Sequence, residues 1–360
     1  MSLFAQLAEH DFGELHLRRD SASGLLAIVA IHDTRLGPSL GGCRCIEYDN
    51  EGDAIRDALR LARGMTYKAA LAGVPHGGGK SVIIRPRVAY DRSLLFRAFG
   101  RFVEDLGGRY ISAEDSGTSL EDMEVMRGVT RFVTGVDQRH GGSGDPSPFT
   151  ALGVRRAIEA CVRFALGKDT LEGVHVAVQG VGHVGMHLCR ELHAHGATLS
   201  VADVDPLKAE RAAREFGAKI VSLDAIFETA CDVFAPCALG SALSDQTIPR
   251  LRCRIVAGAA NNQLAEARHG DSLRQRGIVY APDYAINAGG LINVAQEVAG
   301  YDEAIVRSRT LRIYDTTLEI LQRAARAECA TSRIADAMVE ERLFAVEGAP
   351  VWARAANDGQ

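Results

Sequence analysis

The 360-residue chain has no excess of positive charge: 41 Lys and Arg stand against 46 Asp and Glu, a formal net charge of −5. The basic stripe that nucleic acid or an anionic membrane demands is missing, so neither is an expected partner. No apolar run is long enough to span a bilayer. The opening MSLFAQLAEHDFGEL has no basic segment ahead of its acidic residues and does not read as a secretory signal. The eight cysteines form no CxxC pair, and only Cys43 and Cys45 lie close together. That usage suits reduced thiols in the core of a cytoplasmic protein and assigns none of them to catalysis. Internal repeats and low-complexity tracts are also absent from the sequence. What is present is the composition of an ordinary soluble protein, 47% hydrophobic and 24% charged. The length exceeds what one core supports, so two domains with a small-molecule cleft are expected.

The first third mixes alternating stretches, ELHLRRD and LLAIVAIHD, with helical ones. In EGDAIRDALRLARGMTYKAALAG, the residues Ala54, Ile55, Ala58, Leu59, Leu61 and Ala62 recur at helical spacing, with Asn50 or Asp49 as N-cap and Gly73 and Pro75 as the stop. A strand SVIIRP, a helix in DRSLLFRAFGRFVEDLGG and a short strand RYISAED follow. The glycine- and proline-punctuated GGSGDPSP, residues 141–148, reads as a linker. From Val174 onward strands and helices alternate, which predicts βαβ units and a parallel sheet. The expected fold is α/β in two domains. Residues 1–145 form a mixed-sheet substrate-binding and oligomerisation domain, and 146–329 form a Rossmann-type dinucleotide-binding domain. Helices after about residue 302 turn back toward the first domain, with 330–360 packed on it.

The run Gly180-Val181-Gly182-His183-Val184-Gly185 is a complete GxGxxG between a predicted strand and a predicted helix. The first glycine permits the tight turn, the second admits the pyrophosphate, and the third lets helix and strand close, with the helix N-terminus facing the phosphates. Asp203 follows the last glycine by 18 residues at a strand end, where an acid accepts ribose hydroxyls and repels a 2′-phosphate, favouring NAD over NADP. Asp205 is the rival for that role and reads better as the cap of the next helix. His183 and His187 stand i, i+4 without an intervening glutamate, and no metal site is assigned.

VPHGGGKSVI, residues 74–83, looks at first like a phosphate loop. A P-loop requires a glycine where Val74 stands, and it runs from strand to helix, the reverse of the order here. Three glycines instead allow close approach of the backbone to a ligand and leave Lys80 as the long group entering a pocket. Lys68 precedes Lys80 by 12 residues near the end of the preceding helix. Two ammonium groups in one partly desolvated site cannot both hold their charge cheaply, so one becomes a base while the other stays a cation suited to a carboxylate. The alternative is two solvated surface lysines. Asp115, at the end of a predicted strand, is the third candidate for the cleft, its alternative being a turn or cap residue.

Taken in order, GGCRCIEYDNEGDAIRDALRLARGMTYKAALAGVPHGGGKSVI, GRYISAEDSGT, DPSPFTALGV, VAVQGVGHVG, CDVFAPCALG, AGAANNQL and APDYAINAGGLINVA resemble the NAD-dependent amino-acid dehydrogenases acting on glutamate, leucine, phenylalanine and valine, the leucine branch most closely. The resemblance implies reversible oxidative deamination of an L-amino acid to its 2-oxo acid and ammonia, and a homo-oligomer. It implies that Lys68 and Asn262 hold the substrate carboxylate, that Lys80 activates water, and that Asp115 exchanges protons with the nitrogen. Thr150, Ala238 and Asn261 would lie by the coenzyme. Leu40, Gly41, Gly42, Met65, Ala113, Leu291 and Val294 would form an apolar side-chain pocket, disfavouring glutamate. Leucine and other branched-chain amino acids are the expected substrates, phenylalanine or another aromatic amino acid the alternative, and a non-catalytic NAD-binding sensor a further one. Leu291 replaces the valine usual in leucine dehydrogenases, and His76 stands where they more often carry an apolar residue, with no role apparent from the sequence.

Overall fold

The apolar run of LLAIVAIHD forms an interior strand of the first sheet. The computed structural model describes residues 3–9, 14–137, 139, 141–238 and 240–347. Strands β1 (Glu14–Asp20), β2 (Leu25–Asp33), β3 (Ser39–Ile46), β4 (Gly77–Ile84) and β5 (Tyr110–Glu114) lie in the order β1-β2-β4-β3-β5. β2 is antiparallel to β1 and β4, whereas β3 runs parallel to β4 and β5, so the sheet is mixed. Its period of two sends Ile28, Ala30 and Val82 to one face, against Ala54, Ala58, Leu59 and Ala62 of the helix Glu51–Ala72. Ala27, Val29, Cys43 and Ile83 go to the other, where Phe96 and Phe99 of the helix Arg92–Asp105 cover them.

The long helix starts and stops where the sequence predicts. The Asn50 side chain accepts from Asp53 N at 3.0 Å, and Gly73, at φ 65°, donates its N–H back to Ala69 and Ala70.

Gly77, Gly78 and Gly79 are not a turn open to a ligand, as the sequence suggests; all three lie inside β4 and are buried. A methyl at Gly78 would collide with the backbone N and hydroxyl of Thr66 on the long helix, and one at Gly79 would sit 2.8 Å from the Tyr110 ring. The missing side chains let helix, strand and ring close together. His76 is buried behind them, with Nδ1 3.2 Å from the Pro38 carbonyl, while Gly77 N donates to Pro38 O at 3.1 Å. It ties the entry of β3 to the entry of β4, a role the sequence leaves blank.

The second sheet is wholly parallel. β6 (His175–Gln179), β7 (Thr198–Ala202), β8 (Lys219–Ile220), β9 (Val233–Pro236), β10 (Ile255–Val256) and β11 (Val279–Tyr280) lie in the order β11-β10-β9-β6-β7-β8. This is the doubly wound Rossmann order, in which the direction of winding reverses between β6 and β9.

The chain divides into two units after Gly144. The second comprises Asp145–Asn293 and Glu303–Met338; the first also takes Val294–Asp302 and the chain from Val339. The expected return near residue 302, with 330–360 on the first domain, is therefore corrected. Helices Glu303–Leu311 and Ile313–Ala327 pack on the helix Ser147–Leu166 of the second unit, and only from Val339 does the chain rejoin the first. There Arg342 donates to the carbonyls of Ala70 and Leu71, satisfying the C-terminal end of the long helix. Residues 348–360 of that expected return lie outside the described residues. Among the described residues no helix is long and apolar enough to cross a membrane.

Replacing Gly78 with alanine should push the long helix off β4 and destabilise the first unit by about 3 kcal/mol or more. Urea unfolding followed by circular dichroism should show an earlier midpoint, and an unchanged midpoint would contradict the close contact.

Candidate active site

Lys80 sits in the middle of β4 on the face covered by the long helix, because it shares the parity of Gly78 and Val82 and pairs with Ala30 of β2. It is only 6% exposed. A lysine so deeply placed needs a counter-charge. Asp115, just beyond the end of β5, supplies it: the Lys80 ammonium forms an ion pair with Asp115 Oδ2. A surface-lysine reading of Lys80 is thereby set aside. Gly42 of β3 makes the space, since a methyl there would stand 2.7 Å from Asp115 Cβ and 3.2 Å from Lys80 Nζ.

The turn carrying Asp115 is fixed by its own backbone. Thr118 Oγ1 accepts from Asp115 N at 2.9 Å and lies 3.1 Å from the Cys43 carbonyl, while Thr118 N donates to Asp115 O at 3.0 Å. Arg44, two residues beyond Gly42 and so on the same sheet face, donates through Nε to Asp115 Oδ2 at 3.3 Å. Its Nη1 reaches Asp57 Oδ2 at 2.7 Å, which also accepts from the Tyr48 hydroxyl at 2.7 Å. Burial works against the charge on Asp115, yet the Lys80 and Arg44 cations outweigh it and hold the carboxyl down at about 2. Arg44 and Asp57 were not singled out from the sequence. The available signal was parity, with Leu40, Gly42 and Arg44 alternating along one strand.

Leu40, Gly42 and Ala113, expected pocket residues of the first unit, share the Lys80 face. Leu40 and Ala113 are buried, and the pairing of Leu40 with Gly78 and of Gly42 with Ala113 turns both side chains to the Lys80 face. Gly41 lies between them, its carbonyl accepting from the Tyr110 hydroxyl at 2.6 Å. Met65 and Lys68 are half-buried on the long helix, close in sequence to the Thr66 that touches Gly78. Val294 belongs to the first unit; Leu291, three residues earlier on the helix Gly289–Gln296, belongs to the second and is buried.

In the second unit the glycine turn joins β6 to the helix His183–Ala194. Gly180 takes φ 92°, and a methyl there would lie 2.7 Å from Ala238 N at the end of β9. One at Gly185 would collide with the Gly180 carbonyl. Gly182 differs: it is the N-cap, no side chain caps the helix, and a methyl on it would meet no atom within 4 Å. Uncapped amides facing open space fit a phosphate-bearing ligand. Val181 is buried, Val184 half-buried and His183 exposed. Asp203 accepts from Val181 N at 2.7 Å and from Asp205 N at 2.9 Å, so it braces the turn, whereas Asp205 caps the next helix through Leu207 N at 3.0 Å.

Thr150 lies in the first turn of the helix Ser147–Leu166, its hydroxyl bonded to Pro146 O at 3.1 Å and closely approached by Gly290. Asn261 Oδ1 accepts from Asn287 Nδ2 at 2.7 Å. Asn262 occupies the left-handed region at φ 52°, held there by donation of its N–H to Asp283 Oδ2 at 2.6 Å. The Tyr280 hydroxyl in turn donates to Asp283 Oδ1 at 2.9 Å. Asp283 and Asn287 are further supports that the sequence did not single out.

Residues 13–132 match the family described as Glu/Leu/Phe/Val dehydrogenase, dimerisation domain, and residues 141–206 and 207–342 match Glutamate/Leucine/Phenylalanine/Valine dehydrogenase. The chain is 51% identical to the leucine dehydrogenase of Thermoactinomyces intermedius over 343 residues, covering 95% of this chain and 94% of that one. It is 46% identical to the L-tryptophan dehydrogenase of Nostoc punctiforme over 345 residues, covering 95% of this chain and 96% of the other. The crystal structure of L-tryptophan dehydrogenase from Nostoc punctiforme superimposes with a TM-score of 0.86 at 43% identity, spanning 96% of this chain and 100% of that chain.

Because the Asp115 carboxyl is depressed in the folded chain, its stabilisation is complete above the unfolded carboxylate value and is lost as pH falls toward 2. Asp115→Asn should cost about 2 kcal/mol near neutrality, and the gap to the wild type should narrow by about 1 kcal/mol on going to about pH 3. Denaturant titrations at the two pH values measure this; a gap independent of pH would contradict the assignment of the pair.

Proposed function

The chain belongs to the glutamate/leucine/phenylalanine/valine dehydrogenase family and is an amino-acid dehydrogenase, and from that premise we propose that it oxidatively deaminates leucine and other branched-chain L-amino acids with NAD. The reaction converts amino acid, NAD and water into 2-oxo acid, ammonium, NADH and a proton. The observation that carries the proposal is the buried Lys80–Asp115 pair set beneath Gly42.

Lys68, on the long helix of the first unit, is the cation for the substrate carboxylate. Lys80, once it has released its proton, takes the proton of the water that attacks the iminium carbon, and Asp115 receives and returns protons at the departing nitrogen. Each is a group of the right chemistry held on a helix, strand or turn. The glycine turn, Ala238, Thr150 and Asn261 are the residues that would hold NAD, which would supply the hydride acceptor. Asp203, already oriented by Val181 N, keeps lone pairs for the ribose hydroxyls and repels a 2′-phosphate.

Preference for an apolar side chain is supported by Leu40 and Ala113, both buried on the Lys80 face. A carboxylate side chain there would be desolvated without a partner, which argues against glutamate. The identity to a leucine dehydrogenase supports leucine. The second reading, an aromatic substrate, rests on the likeness to a tryptophan dehydrogenase. A homo-oligomer is supported by the description of the N-terminal family as a dimerisation domain.

NADH formation from leucine, valine, phenylalanine and tryptophan tests the substrate, with kcat/KM for leucine expected at least about tenfold above the aromatic amino acids, a gap of about 1.4 kcal/mol; the reverse order would select the second reading. NADP should support less than about a tenth of the NAD turnover, and parity between the two would remove the role given to Asp203. Lys80→Ala should lower kcat by about a thousandfold or more while NADH fluorescence titration shows little change in binding.

A further inference from the structure

Asp115 is shared between two cations of different kinds. Lys80 can give up a proton; Arg44 cannot. Arg44 lies on the β3 face that carries Gly42, its guanidinium between Asp115 Oδ2 at 3.3 Å and Asp57 Oδ2 at 2.7 Å. Asp57 comes from the long helix and is itself held by the Tyr48 hydroxyl at 2.7 Å and by Arg60 at 3.4 Å. Arg44 is therefore fixed from the helix side and directed at Asp115 from the strand side. We propose that Arg44 is a positioning residue for the deamination, acting through Asp115: it keeps that carboxylate turned toward Lys80 and supplies a permanent positive charge that eases proton release from the Lys80–Asp115 pair. This rests on reading Lys80 and Asp115 as the catalytic pair.

Among the described residues, Cys43, Tyr110, Arg92 and Tyr48 do not provide that charge. On the opposite sheet face, burial pushes the Cys43 thiol and the Tyr110 hydroxyl up, so both stay neutral. Arg92 donates to the Gly117 carbonyl in the turn after Asp115, but its guanidinium is matched by Asp122 at 2.7 Å. Tyr48 is pushed up by burial and by Asp57, and it too is neutral. Asp57 is held below the usual carboxylate range: burial opposes its charge, and the Tyr48 hydroxyl with Arg44 outweighs it. It is thus an anion that tempers Arg44. Two substitutions must then act in opposite directions. Removing Arg44 strips a positive charge from the pair and makes it hold its proton to higher pH; neutralising Asp57 leaves Arg44 less compensated and makes it release the proton at lower pH.

The test is the pH profile of kcat/KM for L-leucine with NAD, measured on the full-length wild type and on Arg44→Met, Arg44→Lys and Asp57→Asn. The acidic limb should move up by about one pH unit in Arg44→Met and return close to the wild-type position in Arg44→Lys. In Asp57→Asn, where the amide oxygen still accepts from Arg44 and Tyr48, it should move down by a few tenths of a unit. A limb that stays in place in Arg44→Met, with only kcat lowered, would overturn the proposal, as would a shift in the same direction in Asp57→Asn and Arg44→Met. Should Arg44→Met fail to fold, the Arg44→Lys and Asp57→Asn limbs decide: coincidence of the Asp57→Asn limb with the wild type counts against it. Near-normal turnover by Lys80→Ala would instead bring down the catalytic reading itself, whatever the Arg44 variants do.

Discussion

A lysine buried in the middle of a strand is the constraint around which the first unit is arranged. Desolvating an ammonium and a carboxylate costs several kcal/mol each, and their attraction offsets this only when the geometry is good and the remaining polar atoms are bonded. The surrounding sequence meets both conditions. Gly42 has no side chain where Lys80 and Asp115 meet, Gly78 lets the covering helix descend to the strand, and Thr118 fixes the turn from which Asp115 projects. A pair held in this way contributes little as a stabilising device compared with an apolar one. Its value is chemical, because a lysine and a carboxylate shielded from water interact strongly and respond sharply to any further charge placed nearby.

The same design recurs in the second unit on neutral groups. Asn262 is held in a left-handed backbone conformation by Asp283, which Tyr280 braces, and Asn261 is held by Asn287. In both units the groups that build the proposed site are oriented by partners on other elements of the chain. Asp57 reaches Arg44 from the helix, Asp283 reaches Asn262 from beyond β11, and Asp203 reaches Val181 from the end of the neighbouring strand. Fixing rotamers before the ligand arrives lowers the ordering cost of binding and narrows the geometries available to proton transfer.

Much of this was legible in the sequence where the determinants are local. The long helix runs from its Asn50 cap to its Gly73 stop as the spacing predicts. The strand, glycine turn and helix around Gly180 follow from the motif, and the capping of the next helix by Asp205 follows from cap chemistry. What was not legible depends on contacts between segments far apart. GGG reads as a loop because glycine lowers strand propensity, yet in β4 each missing side chain answers a crowded neighbour, which no local window contains. The return of the chain at Val339, later than expected, is likewise set by the two helices after Glu303 finding their apolar partner on Ser147–Leu166. His76 looked anomalous for the same reason, its carbonyl partner being Pro38.

Arg44 shows why residue type alone underdetermines such a site. No motif in the sequence marks Arg44, and its neighbours Cys43 and Cys45 read as core thiols. Both thiols are pushed up by burial and are inert packing groups, while the arginine between them turns to the opposite face and meets two carboxylates. Parity connects these facts: once Lys80 is known to point toward the long helix, β3 must present Leu40, Gly42 and Arg44 on that same face. The first provides apolar surface, the second provides room, and the third provides charge. Three successive inward positions on one strand thus bring apolar surface, room and charge to the face that carries Lys80.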